Sequence, residues 1–194
     1  MRTATSSLAG YSPAERHRAI ATNFGRVIDS VTDWTRPTPV PEWVARDIVE
    51  HLLSWLPGFL ASGGFDLPLI DATQPGEAWR RRSDAVQRIL DDPESAQRDF
   101  DQPQAGKHPL AVAIDRFYTS DVFMHTWDLA RSAECPHGLD QQFAATMLAG
   151  MEPLADALLA SGHFGPPVPI DAGEDPVRRL MAFIGRNPDW EPLT

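Results

Sequence analysis

Residues 43–55 (WVARDIVEHLLSW) and 116–132 (RFYTSDVFMHTWDLARS) have the apolar spacing of helices that pack into a core, yet both carry ionisable groups on that face. Asp121 and His125 are four residues apart. On a helix this sets them about 40° apart around the axis and about 6 Å along it, so both side chains reach one ion. Their stripe also holds Ile114, Phe117, Met124 and Asp128. His51 occupies the matching stripe of the earlier segment, with Val44, Ile48, Leu52, Trp55 and Phe59. A carboxylate and imidazoles turned toward a core are costly unless compensated, and a divalent cation compensates them efficiently. Two imidazoles and one carboxylate make the three-ligand set of a catalytic Zn²⁺ centre with a fourth position open; Ni²⁺ and Fe²⁺ accept the same donors.

Two further acids stand near this set. Asp47, one turn before His51, competes as a ligand. Asp128, one turn after His125, either joins the shell, orients the imidazole from behind, or serves as a surface partner of Arg131. The remaining histidines read differently. His17, between Arg16 and Arg18, is expected on a solvated face. His108, His137 and His163 border helix ends as surface or capping residues. Cys135 and His137 form a weaker nucleophile pair, because a Cys-Pro-His turn does not fix their mutual geometry. No nucleophile elbow, phosphate-cradling loop or dinucleotide fingerprint is present.

The elements that must position these residues are helices. A capping box at Ser12 to Glu15, with proline at the first helical position, opens a helix reaching about Val31. The proline-rich stretch 35–42 is extended. A second helix runs from near Glu42 to Gly63-Gly64, with Pro57-Gly58 kinking or ending it. A polar third helix covers 77–90, and the acidic stretch 91–101 is a loop with room for one helical turn. The fourth helix, carrying Asp121 and His125, starts near Pro109. Asp140 caps a fifth, which Pro153 kinks or divides before Gly162. Residues 164–170 are extended, and a short helix follows Asp175 through Ile184. No alternating strand pattern stands out. These features predict one all-α domain over 1–194, an up-down bundle with proline-stiffened connections and a loose arm at 1–11.

A formal net charge of −10 with a single lysine argues against a nucleic-acid-binding surface, because phosphate neutralisation needs clustered Lys and Arg. The triplet Arg80, Arg81 and Arg82 is expected on a solvated helix face. One cysteine allows no internal disulfide. With no apolar leader and no uninterrupted apolar run of spanning length, a cytoplasmic location away from membranes is expected.

Residues 33–55, 125–140 (HTWDLARSAECPHGLD), 163–170 (HFGPPVPI) and 179–190 (RLMAFIGRNPDW) together resemble the DinB/YfiT-like superfamily. Within it they are most similar to small relatives of the N-terminal domain of mycothiol-dependent maleylpyruvate isomerase. The resemblance spans about Glu15 to Trp190. It implies a four-helix bundle with additional short helices, a divalent metal held by His51, Asp121 and His125, and a tendency to pair as a homodimer. The isomerase has glutamate where this chain has the shorter Asp121. The chain is expected to lack the isomerase's C-terminal domain, so its reaction is not carried over. The resulting expectation is a metal-dependent enzyme, hydrolase or thiol S-transferase, acting on a small molecule with a mycothiol-like cosubstrate. Its rivals are a bundle with a structural or sensory ion and an interaction module whose histidines are simply buried.

Overall fold

The computed structural model describes residues 7–103 and 105–192. The chain is all-α apart from one small hairpin. Helix α1 (Pro13–Ile28) begins as its sequence dictates: the Glu15 amide donates to Ser12 Oγ, and the Glu15 carboxylate accepts from the Ser12 amide. The segment before it is not a loose arm from residue 7 onward. Leu8–Gly10 forms a 3-10 turn whose Leu8 amide donates to Asp140, and Arg16 Nε reaches back to the Leu8 carbonyl. The first six residues of the expected arm lie outside the described residues.

Helix α2 (Ala45–Ser62) starts three residues later than its apolar pattern predicts. The preceding loop folds onto its first turn, with the Ala45 amide on the Arg36 carbonyl and the Arg46 amide on the Trp34 carbonyl. Asp47 accepts from the Val44 amide at 2.8 Å and so caps its own helix. Pro57 neither ends nor visibly interrupts α2. Proline removes the N–H that would have met the Leu53 carbonyl one turn earlier. Arg82, from α3 (Pro75–Asp91), supplies the missing donor: Nη2 lies 3.2 Å from the Leu53 carbonyl and 2.9 Å from that of Pro68. Arg82 is therefore fully buried, not solvated like an ordinary member of its triplet.

The acidic stretch is more ordered than its composition suggests. It forms α4 (Pro93–Gln97), then β1 (Asp99–Gln102) paired antiparallel with β2 (Gly106–Pro109), Phe100 facing His108. Phe100 alone turns inward from β1, which is too little alternation to read as a strand. The helical run from 110 to 132 comprises α5 (Leu110–Ala113), a π-helical turn (Ile114–Thr119) and α6 (Ser120–Ser132). Pro153 divides the next helix as expected, giving α7 (Gln141–Met151), a 3-10 turn and α8 (Ala155–Ala160). Together 141–160 are long and apolar enough to cross a membrane by length and composition, although mostly unburied and broken at that turn. Helix α9 (Pro176–Phe183) is capped by Asp175.

Helix α1 packs on α3 and α6, α2 packs on the same two helices, and α7 packs on α9. Phe24, Ile48, Leu52, Leu56, Leu60, Trp79 and Phe123 are among the side chains filling the interior. Each fully buried aliphatic or aromatic side chain contributes roughly 1.5–3 kcal/mol, so the helices hold their relative positions without an ion.

Candidate metal centre

The α2–α6 contact brings the three sequence-selected residues together. One ligand atom each from His51, Asp121 and His125 lies within 4.8 Å of the others. His51 Nε2 is 3.1 Å from Asp121 Oδ2, and His125 Nε2 is 3.5 Å from Asp121 Oδ1. Ligands at about 2 Å from a four-coordinate ion are about 3.3 Å apart, so these separations suit a cation of zinc size. His51 and Asp121 remain partly exposed, at 32% and 20% of their side chains, whereas His125 is buried at 7%. A ligand can thus approach from the His51 side.

Two of the three donors are held from behind. Trp55 Nε1–H donates to Asp121 Oδ2 at 3.0 Å. His125 Nδ1 lies 2.9 Å from Asp128 Oδ2, which directs Nε2 toward Asp121. Asp128 is fully buried and meets Arg186 through Nε at 3.0 Å and Nη2 at 3.3 Å. Trp43 covers the cluster, its ring 5.0 Å from that of His51 and stacked at 5.7 Å on that of His125.

Electrostatics follow from these contacts. Burial would raise the Asp121 carboxyl, but His125, His51 and the Trp55 N–H outweigh it and hold it below its ordinary value. Burial would lower the His125 imidazole, but the flanking Asp121 and Asp128 carboxylates raise it. Burial likewise opposes ionisation of Asp128, and Arg186 with His125 overcomes it. The two flanking carboxylates thus favour the protonated form of His125, and a metal at its Nε2 would compete with that proton.

Other sequence expectations resolve differently. Asp47 is taken by its helix cap, and Asp128 pairs with His125 and Arg186, so neither is a fourth donor. Asp128 is no surface partner of Arg131, which instead donates to the Trp190 carbonyl. His17 is buried, not solvated, with Nδ1 2.8 Å from Gln87 Oε1. His137 Nδ1 accepts from the Leu139 amide, as a capping residue does, and not from Cys135. Two residues of the site escaped the sequence. Trp43 sits just outside α2. Arg186 lies in the Gly-Arg-Asn-Pro ending with no periodicity linking it to α6.

The arrival of Arg186 depends on a close backbone approach. The Gly165 amide donates to the Ile184 carbonyl, and the Val168 amide to that of Ala182. Gly185 has φ +85°, and a Cβ there would stand 2.6 Å from Gly165 Cα. Glycine at 185 lets the chain pass this close to Gly165 and turn Arg186 inward.

The chain is 31% identical over 164 residues to two proteins of Mycobacterium tuberculosis, Rv0738 and MT0763, both described as uncharacterized. The match covers 77% of this chain and 83% of each relative. The chain belongs to the family of these mycobacterial proteins. No family model and no solved structure matches this member of the family, so its site is read from its own geometry.

Proposed function

We propose that this protein binds a divalent metal, Zn²⁺ before Ni²⁺ or Fe²⁺, through His51, Asp121 and His125, and acts on a small molecule or low-molecular-weight thiol conjugate. The observation that carries this reading is the convergence of three donors from two helices on one partly exposed point, with Asp121 and His125 each braced by a second hydrogen bond. The packing of α1, α2, α3 and α6 supports a DinB-like four-helix bundle as its scaffold. The single, half-buried Cys135 agrees with a cytoplasmic location.

A divalent ion at this point would supply Lewis acidity, bringing the pKa of a bound water or thiol toward neutrality for hydrolysis or S-transfer. The protein's part is positional. Asp128 fixes the tautomer of His125, Trp55 orients Asp121, and Trp43 packs against both imidazoles while leaving His51 open on one side. Two neutral imidazoles and one carboxylate leave a divalent site about +1, which favours an anionic substrate group such as a thiolate. The rival reading, a closed structural or sensory ion, needs a fourth protein donor. With Asp47 and Asp128 both committed elsewhere, an open site is favoured.

Metal analysis of untagged protein, with titration of Co²⁺ followed by its d–d spectrum, tests the reading. Wild type is expected to bind one equivalent. His51→Ala and His125→Ala are expected to lose most of it, while His17→Ala and His137→Ala retain it. Equal occupancy in all four variants refutes the assignment.

A further inference from the structure

Trp55 is the first of a series of aromatic rings that leads away from the donor cluster. His51, Trp55 and Phe59 stand four residues apart on α2, so they form one slowly turning stripe about 12 Å long. Their rings meet in sequence, His51 to Trp55 at 6.3 Å between centroids and Trp55 to Phe59 at 5.6 Å. Phe117, four residues before Asp121 in the π-helical turn, meets Phe59 at 5.4 Å. Rings this close leave no space for another side chain between them. Trp55, Phe59 and Phe117 are all only half-buried. Trp55 donates to the same Asp121 oxygen that His51 faces, so the strip begins at the open side of the cluster. It runs toward the β1–β2 hairpin, where His108 stands 6.5 Å from Phe117.

Neither the core nor the cluster accounts for the far rings. The fully buried Phe100 already fills the interior behind Phe59, at 4.9 Å. Phe59 and Phe117 have no polar atom with which to brace a donor. The π-helical turn, a form concentrated at functional sites, sends Tyr118 inward and leaves Phe117 half-exposed against Phe59. Continuous exposed aromatic surface beside a few converging polar groups is the ordinary composition of a small-molecule site.

We propose that the ligand of the metal centre is amphipathic, with an anionic head at the open metal position and a flat tail of the aryl class along Trp55, Phe59 and Phe117. This rests on the metal reading above and adds the part of the substrate that the protein itself recognises. The successive rings are tilted by 67° and 52°, so they offer edges and faces in alternation, which suits an aromatic partner. The Arg116 guanidinium, 5.9 Å from the Phe117 ring, marks the polar end of the strip.

The test loads the full chain with Co²⁺ and titrates two hydroxamates that share one metal-binding head, with the d–d spectrum reporting its arrival. 4-Phenylbutanohydroxamate is expected to bind about 10- to 100-fold more tightly than acetohydroxamate, the equivalent of burying one aromatic side chain. Phe117→Ala, outside the buried core, should erase most of that ratio while leaving acetohydroxamate affinity and Co²⁺ stoichiometry unchanged. Leu159→Ala, at an exposed apolar residue of α8, should keep the full ratio. Equal affinities of the two probes, or an undiminished ratio in Phe117→Ala, would overturn the aryl strip and leave the metal reading standing. Failure to bind Co²⁺ at all would remove the metal reading, and this inference with it. A dimer in sedimentation that Phe117→Ala dissociates would assign the rings to a second copy of the chain and overturn the proposal.

Discussion

Asp128→Asn changes one atom type and almost no volume, yet it tests the whole support of the proposed metal centre. In the native protein the Asp128 carboxylate receives His125 on one oxygen and Arg186 on both. An asparagine still offers His125 one carbonyl oxygen, but its NH₂ faces a guanidinium that can only donate. The variant therefore leaves an almost fully buried Arg186 without a counter-charge, which costs about 3–5 kcal/mol in comparable buried pairs. Loss of a contact behind a ligating imidazole lowers metal affinity by about 10- to 100-fold. Urea unfolding of metal-free protein measures the first effect, and competition with a chromophoric chelator measures the second. A companion variant, Asp128→Leu with Arg186→Met, removes both charges. It should recover most of the stability, because the core remains filled, but none of the metal affinity. The reasoning fails if Asp128→Asn unfolds within about 0.5 kcal/mol of wild type and binds metal unchanged, or if the double variant binds metal normally.

Other outcomes follow from the same contacts. In the metal-free protein the raised His125 contributes stability that is fully present below the imidazole's unfolded value, about 6.5, and is lost as pH rises through its folded value. The lowered Asp121 and Asp128 contribute above about 4 and lose their share only as pH falls through their folded values. Metal affinity should instead rise with pH as His125 gives up its proton, so metal-free and loaded proteins diverge in urea melts on the alkaline side; parallel profiles would contradict this. Pro57→Ala and Arg82→Met should couple in a double-mutant cycle by about 1 kcal/mol, the alanine N–H replacing the donor that Arg82 gives to Leu53; additive effects would disprove the compensation. Gly185→Ala should destabilise by at least about 1–3 kcal/mol through its positive φ, more with the clash on Gly165, and should weaken metal binding by displacing Arg186. Equal metal affinity in a folded Gly185→Ala protein would sever that link.

The helices and the His51, Asp121 and His125 triad were legible because both rest on local periodicity: an inward stripe interrupted by ionisable groups is visible in the residue order. Arg82 was equally visible in principle. It falls between Trp79 and Val86 on the inner stripe of α3, and only its company in an arginine triplet disguised it. His17 was hidden in the same way by two arginines. The β1–β2 hairpin carried a single inward residue, too short a signal for alternation. Trp43 and Arg186 were illegible for another reason. Their roles depend on long-range approach of loops, governed by backbone bonds and, for Arg186, by the positive φ of Gly185, which leave no repeating trace in the chain.

Arg186 follows Asp128 by 58 positions. During synthesis, α2 and α6 therefore leave the ribosome well before the guanidinium that neutralises Asp128 of α6. A growing chain can assemble its donors, but it holds them over an uncompensated carboxylate until the tail docks. The segment that follows α9 therefore acts as a latch, and until Arg186 docks the carboxylate behind His125 stands without its guanidinium.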